Sequence, residues 1–330
     1  MGQHKEVVLL TDRAWPDETI ERRLLDEAGF GLATGPPEAA PAAHIDQLVL
    51  EHDPVAIMTC WAQVSARAIE GAPRLRAVAR LGVGLDNIDV AAATAGGVQV
   101  TNVPDYCVEE VSDHAVALVL NWTRGISSFD RDVRAGSWNP AGARLGRLRS
   151  KTVGLVGYGR IGRATARKLA GLGCRVVVCD PYLPAGENVE AVSLPELLAR
   201  ADAVVLHAPL TSRTHHLIGP AELSAMRPGS LLVNVSRGAL IDTPALVRAL
   251  DAGRPAAAAL DVLEEEPRVD AGMLAHPAVT VTPHVAFSSD ESVTELRTKA
   301  TQEVIRVLTG EPPHYPCNEP NPARDPKDNT

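Results

Sequence analysis

The sequence has few aromatic residues: Phe, Trp and Tyr make up 3% of its 330 residues, while 45% are hydrophobic. A core with so few rings must be filled by Ala, Val, Leu and Ile, which suits parallel sheets covered by helices. Positive charge is also scarce. A net charge of −9 argues against nucleic acid as a main partner. The five cysteines are an odd number with no C-x-x-C pair, which excludes a disulfide scaffold and points to reduced thiols in a cytoplasmic protein. Long apolar runs are missing as well. The opening MGQHKEVVLLTDRAW puts polar residues before a run of only four apolar ones, so it reads as a first strand and not as a leader or membrane span.

The strongest feature present is Lys151–Asp180, KTVGLVGYGRIGRATARKLAGLGCRVVVCD. A short apolar strand runs into Gly157-Tyr-Gly159-Arg-Ile-Gly162, which opens a helix, and a second strand ends in Asp180. Strand, G-x-G-x-x-G, helix, strand and terminal acid in register form a dinucleotide-binding unit. Gly157 permits the tight turn, Gly159 lets a pyrophosphate approach the backbone, and Gly162 lets the helix pack on its strand. Ile161, Leu169 and Leu172 are expected on the sheet-facing side, with Gly173 at the helix end. Asp180 is placed to accept from ribose hydroxyls and to repel a 2′-phosphate, so NAD is expected over NADP.

Strand and helix patterns alternate on both sides of this unit, which predicts two parallel α/β domains. Before it, strands are expected at Glu6–Leu10, Val55–Thr59, Leu75–Leu81 and Val98–Val100, with Gly31–Ala43 as a loop. Asn102–Arg124 reads as a turn followed by a long helix. Gly125–Ser150, with Trp138 at its middle, reads as an arm without periodicity that suits a dimer contact. After Asp180, strands are expected at Ala203–His207, Leu231–Val235, Ala256–Val262 and Val279–Val281, followed by a long amphipathic helix at Glu291–Leu308. The Pro- and Asn-rich tail from Gly310 is expected to be a packed extension that becomes disordered.

Three residues that follow strands carry candidate chemistry: Arg237 in NVSRGALID, Glu266 in LDVLEEEP and His284 in VTPHVAF. An arginine holds a carboxylate with two parallel hydrogen bonds, and a histidine exchanges a proton with an alcohol or ketone oxygen. A carboxylate beside that histidine favours its charged form. The Glu264–Glu266 run does not reveal which acid points inward. In RLGVGLDNID, Gly82-Val83-Gly84 reads either as a strand-end turn that offers N–H groups to an anion or as a plain strand-to-helix loop, and Arg80 beside it either as a substrate clamp or as an ordinary surface residue. His207, His215 and His216 lie near Pro209, but no carboxylate or cysteine shares their spacing, so no metal site is expected.

These motifs, together with VPDYCVEEVSDHA, CDPY, LHAPLTSRTHHLI and TPH, resemble the D-isomer-specific 2-hydroxyacid dehydrogenases over about Val7–Pro313. The likeness is greatest to the branch that contains the C-terminal-binding proteins, although Phe287 stands where that branch has tryptophan. The resemblance implies two Rossmann-like, flavodoxin-like domains with the active site in the cleft between them. The substrate domain would comprise 1–103 plus 297–330 and the NAD domain 104–296. Arg237 would take the substrate carboxylate, His284 would be the acid/base, and Glu266 its partner. Val83 and Gly84 would donate N–H groups to the substrate, while Arg80, Trp61 and Tyr106 would line its pocket. The NAD surface would comprise Gly157, Gly159, Arg160, Ile161, Gly162, Asp180, Tyr182, His207, Ala208, Pro209, Thr214, Val235, Ser236 and Asp261, the last holding the nicotinamide carboxamide. The expected function is reversible hydride transfer between NAD and a small 2-keto or 2-hydroxy acid by a homodimer. Two arginines in one pocket would suit a second anionic group on that acid. The rival reading is an NAD(H)-sensing, corepressor-like interaction protein.

Overall fold

The computed structural model describes residues 5–268 and 271–321. In chain order the first elements are β1 (Val7–Leu10), α1 (Thr19–Glu27), β2 (Gly31–Thr34), α2 (Ala42–His52), β3 (Ala56–Thr59), α3 (Ala66–Glu70), β4 (Ala77–Arg80), α4 (Val90–Ala95) and β5 (Gln99–Thr101). Next come α5 (Val108–Arg124), α6 (Ile126–Arg134), β6 (Thr152–Val156), α7 (Arg160–Gly171), β7 (Arg175–Cys179), β8 (Glu190–Ala191), α8 (Leu194–Arg200) and β9 (Ala203–Leu206). The chain continues through α9 (Pro220–Ala225), β10 (Leu231–Asn234), α10 (Thr243–Asp251), β11 (Ala257–Leu260), α11 (Ala271–Ala275), β12 (Val279–Val281) and α12 (Asp290–Thr309).

Two compact units result. The first takes the described residues up to Tyr106 and those from Ser289 onward; the second is Cys107–Ser288. These limits differ from 103/104 and 296/297 because whole helices fall on one side or the other. Helix α5 starts at Val108 and belongs entirely to the second unit, while α12 starts at Asp290 on a Ser289 cap and belongs entirely to the first.

The first unit has a five-stranded parallel sheet ordered β2-β1-β3-β4-β5. Its core includes Leu9, Val49, Ile57, Val64, Val78 and Val100. Helix α12 packs on α1 through a buried ion pair: Arg297 donates to both Glu21 oxygens at 2.9 and 2.8 Å, and also to Asp17. Glu21 is fully buried and Arg297 is 7% exposed, so each charge is tolerated there only because the other is present. Gly310 ends α12 in the left-handed conformation. The following segment returns to β5, where Cys317 N–H meets Val100 O at 2.8 Å and the Asn318 carboxamide oxygen takes Val100 N–H at 2.7 Å. Of the tail expected from Gly310 to pack and then become disordered, 322–330 lies outside the described residues.

The second unit has a seven-stranded parallel sheet ordered β12-β11-β10-β9-β6-β7-β8. Strands β9 and β10 are buried throughout, as expected of central strands covered on both faces. Helix α5 packs on α7. Lys168 of α7 fastens the pair, donating to Ser112 Oγ at 2.7 Å and lying 2.8 Å from Glu109 and 2.7 Å from Asp113.

Three expectations are corrected. Gly31–Ala43 is not all loop, since it contains β2 and the start of α2. Strand β2 is a short, half-buried edge paired only with β1, which leaves little alternation to read. The 125–150 arm contains α6 and two 3₁₀ turns. Leu172 is 44% exposed, because α7 ends at Gly171 and turns it away from the sheet. Strand β8 and helix α11 carried no sequence signal. Among the described residues, no helix is long and apolar enough to cross a membrane.

Candidate active site

The dinucleotide loop lies between β6 and α7. Gly157 has φ +100, and a Cβ there would lie 2.7 Å from the His207 carbonyl carbon. A Cβ on Gly162 would lie 2.4 Å from Gly157 O, so helix and loop touch backbone to backbone. Gly159 differs from both: its Cβ position is open space, and α7 begins there without a side-chain cap. Open space over a glycine beside uncapped helix N–H groups is the cradle that a pyrophosphate needs. Asp180, at the end of β7, takes Tyr158 N–H at 2.6 Å and Tyr182 N–H at 2.8 Å, one on each oxygen. The carboxylate is thereby fixed and retains acceptor capacity for ribose hydroxyls.

The opposite wall is His207–Thr214, which follows β9. Thr214 closes this loop by donating to Pro209 O at 2.6 Å and accepting from Thr211 N–H at 2.8 Å. Ala208 is buried and Pro209 is exposed. Burial pushes the His207 imidazole down to about 4, and its Nε2 has no hydrogen-bond partner among the described residues. A neutral ring with an orphaned nitrogen suits a loop that a bound group completes. Tyr182 is 75% exposed, and its hydroxyl accepts from Arg213 at 2.6 Å. Arg160 is exposed at the first turn of α7, with Ile161 half-buried beside it.

Arg237, Glu266 and His284 come together after β10, β11 and β12. Asn234 makes the first turn, its carboxamide taking Ser236 N–H at 3.0 Å and donating to Arg237 O at 2.8 Å. Ser236 Oγ donates to Leu206 O at 2.9 Å, tying this turn to β9, and Val235 is buried. A Cβ on Gly238 would sit 1.9 Å from the Leu263 carbonyl carbon. Only glycine lets the Arg237 loop lie against the loop that carries Glu266. His284 has φ +52, a conformation uncommon for non-glycine residues, and its Nδ1 lies 2.7 Å from Glu266 Oε2. Burial acts to raise the Glu266 carboxyl. The His284 hydrogen bond and charge, the Leu263 N–H at 2.8 Å and the Arg237 charge outweigh it and hold the group below the ordinary range. Glu266 is the acid of the run that meets His284. Glu264 turns to His216 at 2.6 Å and Thr243 N–H at 3.2 Å.

Asp261, 2% exposed, holds the turn bearing His284. Its Oδ1 accepts from Thr282 Oγ1 at 2.5 Å and Val285 N–H at 3.0 Å, its Oδ2 from Ala286 N–H at 2.9 Å, and its backbone oxygen from His284 N–H at 2.7 Å. His114 Nε2 of α5 lies 3.0 Å from Thr282 Oγ1. Thr282, His114, Asn234 and Gly238 lie within the motifs TPH, VPDYCVEEVSDHA and NVSRGALID, but no role is assigned to them from the sequence.

In the first unit, Arg80 is 6% exposed, donates to Leu81 O and Thr59 O, and lies beneath Gly82, whose φ is +154. It supports the Gly82–Gly84 turn from below. The N–H groups of Val83 and Gly84 have no hydrogen-bond partner among the described residues, and Asn102 donates to Val83 O at 2.7 Å. Buried Asp12 takes the N–H groups of Cys60, Trp61 and Ala62 at 3.0, 2.6 and 3.0 Å, fixing the Trp61 loop. Tyr106 is buried.

His215, His216 and Glu264 have ligand atoms within 4.8 Å of one another. Sequence spacing concealed this carboxylate, which arrives from the β11 side. The two imidazoles stack at 4.0 Å with a 30° interplanar angle.

Residues 116–286 match the family model described as D-isomer specific 2-hydroxyacid dehydrogenase, NAD binding domain. The chain is 40% identical over 252 residues to D-3-phosphoglycerate dehydrogenase of Mycobacterium bovis, a match covering 75% of the chain and 48% of that protein. The chain thus spans about half the length of that relative. It is 35% identical over 288 residues to glyoxylate reductase of Thermococcus litoralis, covering 84% and 87% of the two. The crystal structure of a glyoxylate reductase from Paecilomyes thermophila superposes with a TM-score of 0.84 at 29% identity, covering 95% and 98%.

Proposed function

The chain belongs to the D-isomer specific 2-hydroxyacid dehydrogenase family, and on that premise we propose that it catalyses reversible hydride transfer between NAD and a small 2-hydroxy acid or its 2-keto counterpart. The observation that carries this reading is His284 Nδ1 at 2.7 Å from Glu266 beside Arg237. NAD, when bound, supplies or accepts the hydride. Arg237 grips the substrate carboxylate and polarises the adjacent carbonyl. Glu266 fixes the ring through Nδ1, so that Nε2 gives a proton to the ketone oxygen in reduction and takes it from the hydroxyl in oxidation. Val83 and Gly84 present N–H groups to the substrate, and Trp61 and Tyr106 shape its pocket. The remaining acceptor site on Asp261 Oδ2 suits a carboxamide N–H. Asp180 favours NAD over NADP by repelling a 2′-phosphate.

Arg80 engages two carbonyls through Nη1 alone, and its Nε has no hydrogen-bond partner among the described residues, which supports an acid that carries a second anionic group. The free thiols of all five cysteines support a cytoplasmic location. Ile126, Val133, Trp138 and Leu145 are exposed on the 125–150 arm, which supports a homodimer formed through that arm. The test is NADH oxidation with glyoxylate, pyruvate, hydroxypyruvate and a phosphorylated 2-keto acid. At least one of these acids turns over, and His284→Ala lowers kcat by about 10²–10⁴-fold while NADH still binds. No turnover with any acid, or retained turnover in His284→Ala, would remove the reading. Preference for the unphosphorylated acids would reverse the inference from Arg80.

A further inference from the structure

Strand β12 is three residues long, lies at the sheet edge and pairs only with β11. The turn after it holds His284 at φ +52. So short an edge cannot by itself fix a side chain to the tolerance that proton transfer needs. Asp261 supports the turn from within the sheet, and the second support comes from α5. The Thr282 hydroxyl has one hydrogen. It lies 2.5 Å from an Asp261 oxygen that also takes Val285 N–H, so that hydrogen goes to the carboxylate. Thr282 Oγ1 can then only accept from His114, 3.0 Å away, which places a proton on His114 Nε2.

Helix α5 is in turn locked to α7. Lys168 reaches Ser112 and Asp113, the two residues preceding His114, and Glu109 one turn earlier. The N-terminus of α7 is the dinucleotide loop. A path of packed helix and hydrogen bonds therefore joins the α7 helix that Gly159–Gly162 opens to the turn bearing His284, and His114 is its contact from α5.

We propose that His114 is a positioning residue for the hydride-transfer reaction, setting the His284 turn relative to the dinucleotide loop through Thr282 and Asp261. The proposal rests on the functional reading above. His114 is 22% exposed at its side chain and touches no reacting atom in that reading.

The test compares His114→Ala, His114→Gln and Thr282→Val in the full chain with the best acid of the panel. A misplacement of this kind costs kcat about 10- to 100-fold, with the NADH dissociation constant kept within about 3-fold. Gln, whose amide N–H can replace Nε2–H, restores kcat to within about 3-fold of the wild type. The double variant His114→Ala, Thr282→Val is no worse than Thr282→Val alone, because both break one path. Hydrogen exchange gives a readout independent of turnover. The amides of Val285 and Ala286 exchange faster in His114→Ala than in wild type, and Gln restores their protection. An unchanged kcat in His114→Ala, additive losses, a loss that follows NADH affinity, or Gln no better than Ala would overturn the proposal. If the wild type turns over no acid, the functional reading fails. Unchanged Val285 and Ala286 exchange in His114→Ala would then separately overturn the positioning claim.

Discussion

His207 makes the stability of this protein depend on pH in a way that can be worked out beforehand. Its ring nitrogen Nε2 is shut away without a partner, and burial pushes the imidazole down from 6.5 to about 4. Between those values the unfolded chain binds a proton that the folded chain refuses, so stability falls as pH falls. Full protonation is worth about 3 kcal/mol, and about 2 kcal/mol of it is lost between pH 7.5 and pH 5. Urea unfolding at both pH values, for wild type and His207→Asn at equal protein concentration and ionic strength, isolates the effect because every other titrating group is common to the two. The wild type loses about 2 kcal/mol more than the variant over this range. Equal losses would refute the reasoning and would mean that the ring keeps contact with water.

Two further predictions concern the first unit and the arm. Arg297→Met strands the buried Glu21 carboxylate and costs about 3–5 kcal/mol; Glu21→Leu added to it recovers much of the loss, and thermal melts read both. Trp138→Ser, at a side chain 83% exposed, weakens self-association without altering the fold of the second unit. Sedimentation equilibrium against far-UV circular dichroism would detect this, and an unchanged association constant would remove Trp138 from the contact.

The sequence was most legible where local geometry and local chemistry coincide. In Gly157-x-Gly159-x-x-Gly162 each glycine answers to a distinct constraint, two of them to close backbone contacts and Gly159 to open space. Asp89, Ser193 and Asp242 cap α4, α8 and α10 by accepting N–H groups of their own first turns. Strand β2 escaped because it is a half-buried edge; α6 does carry a helical period in Ile126, Phe129 and Val133, which the reading of 125–150 as an arm passed over. Leu172 was misplaced since apolar character alone does not say where a helix stops.

Taken alone, the sequence determined two parallel α/β units, a dinucleotide loop, an anionic strand end suited to NAD and three residues able to run a 2-hydroxy acid reaction. Those are written in short windows, where spacing fixes which backbone groups are free and which side chains follow a strand. What only the tertiary structure decided is which of these residues meet. It set Glu266, which the family resemblance already singles out, against His284 and turned Glu264 to His216. It placed Arg80 beneath the Gly82–Gly84 turn, with two carbonyls on Nη1 and Nε without a partner among the described residues. It joined His114 to Thr282 across 168 residues. Such pairings depend on strand order and on the closeness of backbone contacts, and neither leaves a periodic mark in the sequence.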